Sequence, residues 1–467
     1  MVNAVSRPRA GLLTLMFEIY DAFEYLEPDM LDFCGELEST IGDFSEVIWP
    51  GICKTSSQVD AALRGFEAGG VDIVIVVLLT YPPSHVAARA LIDTRLPVLL
   101  FNTQRLLHVT ADTDPRDMIR NHGVHGVQDL ANVLGRAGRS FDIVTGHYQD
   151  GKALDSLREW CMAASTASLL RSTRVGAIGH YLSGMGDFAL DETRLLADIG
   201  VEVLRLSQGE VAEMARNAPG DVIAAQIEED RKRYGVSGDV TMEDHEESSR
   251  LEWALREIMV ARELNSFTVN FMSVEEEGRF RTLPFLASSK LLSEGYGYAA
   301  EGDLLTAAMV AAMQGLAGSA NFTEMFTMDP EGGSVLMSHM GESNPSMARD
   351  DVPIELVPSD FQLADLERRP LLLRFSLAPG EVTLVNLTTG ADGGFKITAT
   401  EGRVLDFKPI PGINTPHFKF QPDGPLEEFL TEICREGTSH HFALAYGRWS
   451  GVLSKVAHVL GLDFSSV

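Results

Sequence analysis

The chain has 467 residues, 45% of them apolar and 22% charged, which excludes a disordered protein and leaves room for roughly two to four globular domains. A formal net charge of −29 makes nucleic acid and anionic membrane surfaces poor partners, and its simplest role is to keep the protein soluble. No stretch approaches the roughly 18 uncharged apolar residues of a membrane-spanning helix, and scattered cysteines without a CxxC pair predict reduced thiols and a cytoplasmic protein.

The first part of the chain alternates apolar runs with amphipathic stretches, a pattern typical of a parallel sheet with crossover helices. The predicted strands are 11–17, 47–49, 72–79, 98–102 and 141–144. The predicted helices between them are 58–68, 84–92 and 115–136. Ligands of such sheets bind at the carboxyl ends of the strands. Tyr81 and Gln104, which come just after two of these strands, are therefore candidate pocket residues.

A second alternating block follows a predicted connecting helix at 152–170. Its strands are predicted at 174–179, 202–206 and 267–270. The glycine-rich turn 183–187 (SGMGD) follows the first of these strands and makes Met185 a candidate pocket residue. The block has no GxGxxG fingerprint, so a dinucleotide site is not favoured. The strongly charged stretch 226–250 predicts a solvated helix and loop.

From about residue 370 the pattern changes to short alternating segments that are broken by proline and glycine. This pattern predicts an antiparallel β-unit near the end of the chain. The strands are predicted at 371–375, 382–387, 395–401 and 404–408, and a closing helix at 451–460.

Side chains that can bind a divalent cation concentrate late in the chain. Glu301 precedes a predicted helix at 304–316, and Glu324, His339 and the His440–His441 pair follow. Two carboxylates and two imidazoles make a mixed oxygen and nitrogen site that suits Mn²⁺, Co²⁺ or Zn²⁺. Each residue also has an ordinary interpretation. Glu301 alone fits a carboxylate at a helix N-terminus, and His339 alone fits a hydrogen-bonded histidine of the core.

Six segments resemble, in order, those of the L-arabinose isomerases. Residues 295–308 read GYGYAAEGDLLTAA and resemble the family's GYGFGxEGDxxTAA metal-ligand segment, which is the most specific of the six. Residues 121–126 (NHGVHG) resemble the family's NQxxHG segment, and residues 264–271 (LNSFTVNF) resemble its NAFTTNF-like strand. Residues 321–324 (NFTE) resemble the segment of the second ligand glutamate, residues 338–342 (SHMGE) the AHMxE segment, and residues 440–441 (HH) the late His-His pair.

This resemblance to the L-arabinose and L-fucose isomerase superfamily implies an α/β protein. Two parallel-sheet α/β domains, N-terminal and central, are followed by a β-rich C-terminal domain resembling an antiparallel barrel. We place these domains at residues 1–172, 173–320 and 321–467. The resemblance also implies a homotrimer or homohexamer in which a neighbouring subunit completes each site with a histidine, here His125.

The metal ligands implied by the resemblance are Glu301, Glu324, His339 and one of His440 and His441. Adjacent residues of a strand face opposite sides, so we expect only one histidine of the pair to reach the metal, and favour His441. The expected ion is Mn²⁺, with Co²⁺ or Mg²⁺ as alternatives. The implied reaction is aldose–ketose isomerisation through a cis-enediol, with Glu301 and Glu324 as the acid–base pair.

The sugar-contacting segments depart from the family pattern. Residues 13–18 read LTLMFE where the family has a TGSQ-like motif, His122 stands where glutamine is usual, and MFTMD follows Glu324 in place of DYTYH. L-arabinose is therefore not assumed, and the expected substrate is a neutral pentose, hexose or deoxyhexose. The expected sugar contacts are His125, His122, Met185, Gln104, Tyr81 and His440.

Two other functions stay open at this point. The chain is alternatively a non-catalytic sugar-binding homologue, or a metal-dependent sugar epimerase, because isomerisation and epimerisation can share an enediolate. Asp303 and Glu342 are candidates to orient the metal ligands, and a helix cap or a surface carboxylate is the ordinary interpretation of each.

Overall fold

A computed structural model describes residues 7–363 and 365–467, with the side chain of Glu275 excepted. The chain divides into two compact units, here called the first unit (Arg7–Ser168) and the second unit (Leu169–Val467). Residues 1–6 of the predicted first domain lie outside the described residues. The predicted division of the second unit at 320 and 321 stays a prediction.

The first unit is a parallel sheet connected by helices. Its strands are β1 (Arg9–Leu15), β2 (Glu46–Ile48), β3 (Ile52–Cys53), β4 (Ile73–Leu78), β5 (Val98–Asn102) and β6 (Asp142–Thr145). Its helices are α1 (Leu26–Gly42), α2 (Ser56–Ala68), α3 (Ala88–Asp93), α4 (Asp117–Arg120), α5 (Gly123–Arg136) and α6 (Gly151–Arg171), the last of which runs on into the second unit. The strand order is β2-β1-β4-β5-β6, and β3 also pairs with β1. Every residue of β4 is buried, as a central strand covered on both faces requires.

Two helices of the first unit differ from the sequence prediction. The stretch 115–136 is not one helix but two, because α4 ends at Arg120 and its C-cap is Asn121, whose side-chain oxygen accepts from the Leu106 N–H at 2.8 Å. His122 consequently lies in the N-cap position of α5. Helix α1 was not predicted, although its buried residues recur at helical spacing and Pro28 lies in the first turn, where proline is tolerated.

The second unit opens with another parallel sheet. Its strands are β7 (Arg174–Ile178), β8 (Glu202–Leu206), β10 (Ser266–Val269) and β11 (Gly297–Ala300), in the order β11-β10-β7-β8. Its helices are α7 (Glu192–Arg194), α8 (Gln208–Arg216), α9 (Gly220–Arg233), α10 (Met242–Ala261), α11 (Phe271–Glu277), α12 (Phe285–Ser293) and α13 (Leu304–Ala317). Between α9 and α10 lies the two-residue strand β9 (Gly235–Val236).

The rest of the second unit is mainly antiparallel. Its strands are β12 (Asn321–Asp329), β13 (Ser334–Ser338), β14 (Glu355–Pro358), β15 (Leu371–Arg374), β16 (Gly380–Thr389), β17 (Phe395–Val404), β18 (His417–Pro422), β19 (His441–Tyr446) and β20 (Asp463–Ser466). Its helices are α14 (Leu426–Arg435) and α15 (Ser450–Leu460). The large sheet has the order β16-β19-β12-β13-β18-β17-β20, and β16 also pairs with β17.

Helix α13 lies in the interior of the second unit. Residues 304–316 are all buried, and the helix packs against strands of both sheets, including β11, β10, β19 and β16. A helix that is apolar on all sides is typical of a core position. Its N-terminus therefore starts where the carboxyl edge of the parallel sheet meets the antiparallel sheet.

Two β predictions were wrong. The segment 395–401 continues through Gly402 to Val404 as the single strand β17, and 405–408 form no strand. Gly402 marks a close approach and not a turn, because a Cβ there would overlap the Gln421 carbonyl and lie 2.7 Å from the Phe420 ring. The segment 371–375 does not join the large sheet. Its strand β15 pairs with β14, and β14 pairs with β9.

Cys34, Cys53 and Cys161 are buried free thiols, and Cys434 is an exposed one. Within the described ranges, every helix is too short or too polar to cross a bilayer.

Candidate metal centre

Glu301 occupies a strained position at the carboxyl edge of the parallel sheet. Its backbone has a φ of +62°, a left-handed conformation that is uncommon for residues with a side chain and frequent at functional sites. The Glu301 N–H donates to the Val269 carbonyl at 2.8 Å, which holds the residue at the end of β11. The neighbouring Gly302 is also left-handed, at +85°, and a Cβ there would fall on the backbone of Tyr181. The chain at this edge is thus fixed by its close neighbours.

The antiparallel sheet supplies the second group of side chains. In the strand register Glu324 of β12 lies directly opposite His441 of β19 on one side and Ser338 of β13 on the other. His339 follows Ser338 at the end of β13. Directly opposed residues point to the same face of a sheet, so the register brings Glu324 and His441 together from distant parts of the sequence. His339, just past the end of β13, also lies beside Glu324.

Two carboxylates and three imidazoles converge at this point. The Nε2 atoms of His440 and His441 lie 3.6 and 3.7 Å from Oε2 of Glu301. His440 Nε2 is also 3.9 Å from Oε2 of Glu324, and His339 Nε2 is 4.0 Å from Oε1 of Glu324. Ligand atoms of Glu301, His440 and His441 all lie within 4.8 Å of one another, close enough to hold one ion.

Both His440 and His441 lie beside Glu301, and the expectation that only one of them binds the metal stays a prediction. Strand β19 begins at His441, so His440 precedes the strand and strand alternation does not turn its ring away. Both rings present Nε2 to Glu301. His441 is completely buried, whereas the side chain of His440 keeps 39% of its exposure. Which of the two binds an ion stays a prediction.

Each imidazole has a carboxylate partner at its other nitrogen. His339 Nδ1 lies 2.7 Å from Glu342, and His441 Nδ1 lies 3.1 Å from Asp303. His440 Nδ1 lies 2.7 Å from Asp187. A carboxylate at Nδ1 fixes the ring orientation and leaves Nε2 for a ligand.

Asp303 and Glu342 each have a second task. The other oxygen of Asp303 accepts from the Thr306 N–H at 3.0 Å and caps helix α13. The other oxygen of Glu342 accepts from the hydroxyl of buried Tyr298 at 2.6 Å. The helix cap and the orienting role, which the sequence offered as alternatives for Asp303, are therefore combined in one residue.

Aromatic rings enclose the imidazoles. Phe322 lies 4.7 Å from the His339 ring and 4.8 Å from the His441 ring, and Phe188 lies 4.8 Å from the rings of both His440 and His441. Both phenylalanines are buried. They restrict the imidazoles to one orientation and reduce the local dielectric, which strengthens the charge interactions among the polar groups.

The charges of the site shift its pKa values. Burial raises the pKa of Glu301, but the interaction with His440 and the positive potential of His339 and His441 outweigh it, so this pKa lies below its usual value. Burial lowers the pKa of His339, but Glu342 and Glu324 outweigh it and raise this pKa to about 9. The same balance, with Glu301 and Asp187 as partners, raises the pKa of His440 to about 9.

Three buried atoms at the centre fit a cation. Oε2 of Glu301, Nε2 of His339 and Nε2 of His441 have no hydrogen-bond partner in the part of the chain that the structure describes. Buried polar atoms without a partner are rare in native proteins. Oxygen and imidazole nitrogen atoms are ligands that first-row divalent ions accept, so one ion bound at this point would satisfy all three.

The other predicted sugar contacts fall in both units. Met185 lies in the second unit, in the loop that carries Asp187. Tyr81, Gln104, His122 and His125 lie in the first unit, where His125 Nδ1 is 2.6 Å from His122 Nε2 and the Tyr81 ring packs edge-on against both imidazoles. The Gln104 side chain instead donates to the Leu106 carbonyl at 2.7 Å.

Sequence reasoning missed several residues of these clusters. Asp187 and Phe188 contact His440 although they lie 253 and 252 positions earlier in the chain. The glycine-rich turn 183–187 includes Asp187, but the sequence indicated only Met185 as its pocket residue. In the first unit the Tyr20 hydroxyl lies 3.4 Å from His122 Nδ1. Sequence spacing carries no signal for such long-range contacts.

Comparison with known proteins identifies related sequences along nearly the whole chain. Family models of the L-arabinose isomerase N-terminal, central and C-terminal domains match residues 22–172, 190–319 and 319–463. Three curated relatives bear the name L-arabinose isomerase. The chain is 28% identical to the relative from Acidothermus cellulolyticus (88% of this chain and 82% of that one), 27% identical to that from Mycolicibacterium smegmatis (90% and 85%), and 25% identical to that from Thermotoga petrophila (86% and 82%). A solved leucine binding protein from Thermotoga maritima aligns over 70% of this chain and 72% of its own at 14% identity, but its TM-score of 0.17 is too low to inform the fold.

Proposed function

Because the chain belongs to the L-arabinose isomerase family, we propose that it is a divalent-metal-dependent aldose–ketose isomerase acting on a neutral, open-chain pentose, hexose or deoxyhexose. It is a sugar isomerase, an intramolecular oxidoreductase. The observation that carries the proposal is the convergence of Glu301 and Glu324 with three imidazoles, each oriented by its own carboxylate.

The proposed metal ligands are Glu301, Glu324, His339 and His441. Their support is the set of buried, unpartnered oxygen and nitrogen atoms at the centre of the site. When bound, a divalent ion such as Mn²⁺, Co²⁺ or Mg²⁺ supplies Lewis-acid polarisation of the sugar oxygens O1 and O2. The raised pKa values of His339 and His440 mean that protons occupy the metal-free site near neutral pH, and ion binding releases protons from those imidazoles that become ligands.

Glu301 and Glu324 are the proposed proton-transfer groups. In the aldose-to-ketose direction one carboxylate takes the proton from C2, and the C2–H electron pair forms the C1=C2 bond of a cis-enediol while O1 gains a proton. The same carboxylate then returns its proton to C1 as O2 loses its hydroxyl proton and becomes the ketone oxygen. The other carboxylate serves the hydroxyl protons. The lowered pKa of Glu301 keeps it ionised near neutral pH and ready to accept a proton.

A neutral sugar fits the charge of the site better than a sugar phosphate. The segments 295–303, 321–326 and 338–342 contain no lysine or arginine, whereas a phosphate needs a cationic cluster or a cradle of backbone N–H groups. The net charge of −29 also opposes the approach of a dianion. An open-chain neutral sugar needs only polar side chains and the ion.

Sugar contacts are proposed for His440 and Met185 in the second unit and for His122, His125, Tyr81 and Gln104 in the first. The support for the first group is the position of His440 beside both glutamates. The support for the second is the packed His122–His125–Tyr81 cluster. We propose that His125 serves the site of a neighbouring subunit in a homotrimer or homohexamer. Mixing inactive His125→Ala and Glu301→Gln proteins, with subunit exchange demonstrated, should restore part of the activity, and no rescue would contradict the shared site.

We further propose that the C-terminal sheet closes as a barrel, which the additional pairing of β16 with β17 supports. The cytoplasm is the proposed location, because reduced cysteines persist there and the four cysteines are free thiols.

The test is to incubate the Mn²⁺-loaded protein with a panel of aldoses and ketoses in D₂O and to follow the products by NMR. Isomerisation should interconvert an aldose and a ketose and leave deuterium at C1 or C2. Replacing Glu324 by Gln keeps the side-chain shape but removes the charge, and should abolish turnover or Mn²⁺ binding with the fold intact. Glu331→Gln, an exposed glutamate in the turn after the same strand, is the matched control and should behave as wild type.

Other outcomes of the same experiment contradict the proposal. Deuterium at C2 with inversion and no ketose product would indicate an epimerase. Sugar binding without any exchange, unchanged in metal-free protein, would indicate a binding homologue. The carboxylate and imidazole set is more than a binding protein needs, and the match to the L-arabinose isomerase family favours isomerisation over epimerisation.

A further inference from the structure

The loop 179–188 of the second unit is fastened to the candidate metal centre. The Leu182 N–H donates to the carbonyl of Glu301 itself at 2.8 Å, and the Asn270 side chain donates to the His180 carbonyl at 2.8 Å. The absence of a side chain at Gly302 lets the loop backbone approach this closely. The loop is therefore positioned by the same residues that build the site.

The end of this loop contacts His440 twice. Oδ2 of Asp187 lies 2.7 Å from the His440 ring nitrogen Nδ1 and accepts from the His440 backbone N–H at 3.3 Å. Phe188, the next residue, is buried and packs against the faces of the His440 and His441 rings. The bond to the N–H fixes the backbone position of His440, and the contact at Nδ1 fixes the orientation of its imidazole.

The contact of Asp187 with His440 has the same geometry as the carboxylate contacts of the two buried imidazoles, His339 and His441. His339 and His441 each have a carboxylate at Nδ1 and an unpartnered Nε2 facing a glutamate. His440 has Asp187 at Nδ1, and its Nε2 faces both Glu301 and Glu324. A surface ion pair would not need this geometry, and its second ring nitrogen would have no reason to face the two glutamates.

We propose that Asp187 is a positioning residue of the active site and acts through His440. With Nδ1–H held by Asp187, Nε2 is the ring atom presented to the centre of the site. Because His440 is half-exposed while His339 and His441 are buried, it is the imidazole that an incoming sugar reaches. Asp187 thus fixes the donor and acceptor pattern that the substrate meets. The proposal rests on the proposed isomerase function for its activity measurement only.

The test is a double-mutant cycle of Asp187→Ala and His440→Ala, measured on the whole protein. Two quantities are followed for wild type, both single variants and the double variant: kcat/KM on the best sugar of the panel, and the Kd of Mn²⁺ by calorimetry. Asp187→Glu keeps the carboxylate and is the rescue variant. Glu213→Ala, which removes an exposed carboxylate from α8, is the control for loss of charge.

If Asp187 acts through His440, Asp187→Ala should lower kcat/KM by about 10- to 100-fold, the usual cost of losing a residue that orients a ligand. In the His440→Ala background the same change should cost less than about two-fold, since the ring it orients is gone. Asp187→Glu should recover a substantial part of the activity, and Glu213→Ala should match wild type. A change in Mn²⁺ affinity that likewise disappears in the His440→Ala background would also support the proposal and would place Nε2 of His440 at the ion.

Equal losses from Asp187→Ala in both backgrounds would overturn the proposal, because they would show that Asp187 acts on the loop and not on the ring. Wild-type values of both quantities in Asp187→Ala would overturn it as well. If wild type converts no sugar, the proposed function fails, and the ¹⁵N NMR signals of the His440 ring decide on Asp187: loss of the Nδ1 hydrogen bond in Asp187→Ala supports the proposal, and an unchanged signal rejects it.

Discussion

Metal-free protein should lose stability between pH 6.5 and 8.5 because of the charges around His339. The pKa of this imidazole is raised from 6.5 to about 9, so the folded state holds a proton that the unfolded state releases near pH 6.5. The resulting stabilisation is fully present below pH 6.5 and is lost as the pH rises toward 9. With a His339 pKa of 6.5 in the unfolded state and about 9 in the folded state, proton binding makes the free energy of unfolding fall by about 2 kcal/mol between pH 6.5 and 8.5. His440 adds about 1 kcal/mol at most, because its ring is partly exposed and screened by solvent.

The assay is urea unfolding in EDTA at pH 6.5, 7.5 and 8.5, with Glu342→Gln as the partner protein. The substituted amide would keep the volume and the contacts to Tyr298 and His339 but would remove the charge that raises the pKa of His339 most. Between pH 6.5 and 8.5 the free energy of unfolding should fall by about 2 kcal/mol more in wild type than in the variant. The window ends at pH 8.5 because burial also raises the thiol pKa values of Cys34 and Cys161 to about 12, which adds a loss of the same sign at higher pH.

A saturating excess of Mn²⁺ should reverse the slope. The ion binds neutral imidazoles, so its stabilisation grows as the pH rises and protons compete less. Parallel slopes of wild type and Glu342→Gln in EDTA would refute the reasoning, because the titrating charge would then lie elsewhere. A metal-free protein whose stability rises across the window would refute it too.

Three further outcomes are expected. Gly302→Ala should lower the free energy of unfolding by about 2 kcal/mol or more, because it combines a φ of +85° with overlap on the Tyr181 backbone. Gly184→Ala, at a φ of +95° but with open space around it, should lower the free energy of unfolding by only about 1 kcal/mol. Equal urea midpoints for the two variants would contradict the role of the close approach. His441→Ala should reduce the Mn²⁺ stoichiometry measured by metal analysis while His440→Ala leaves it at the wild-type value, and the reverse result would exchange the two assignments. A sugar phosphate should not exceed its parent sugar in kcat/KM, and a preference of ten-fold or more, about 1.4 kcal/mol, would reject the neutral-substrate proposal.

The sequence predicted those parts of the fold in which local pattern and tertiary structure agree. Strands β5 and β8 have the predicted bounds, since each is a short apolar or alternating run between clear boundaries. Strand β17 was divided in two because a glycine in the sequence looks the same whether it serves a turn or a close approach between strands. Strand β15 was grouped with the large sheet, but it pairs with β14, and that small sheet is completed by β9, which lies more than a hundred positions before β14.

In the candidate site, too, sequence motifs identify some residues, whereas others are identified only by long-range contacts. Glu301, Glu324, His339 and the late histidine pair could be named from the order of the motifs, and the strand register places Glu324 opposite His441. Asp187 could not be named, because its contact with His440 is made by a loop whose path is set by Gly302 and by the left-handed backbone of Glu301. Local sequence does not record where such a loop ends.

The interior position of α13 has a consequence for how the protein is made. The ribosome delivers this apolar helix before β16 and β19, the strands that cover one of its sides. Until they arrive, the nascent chain carries a helix with an uncovered apolar face, a state that favours aggregation and recruits chaperones. We therefore expect fragments that stop near residue 320 to be insoluble. The candidate metal centre combines Glu301, at the head of this helix, with His440 and His441, so it can form only when nearly the whole chain has been synthesised.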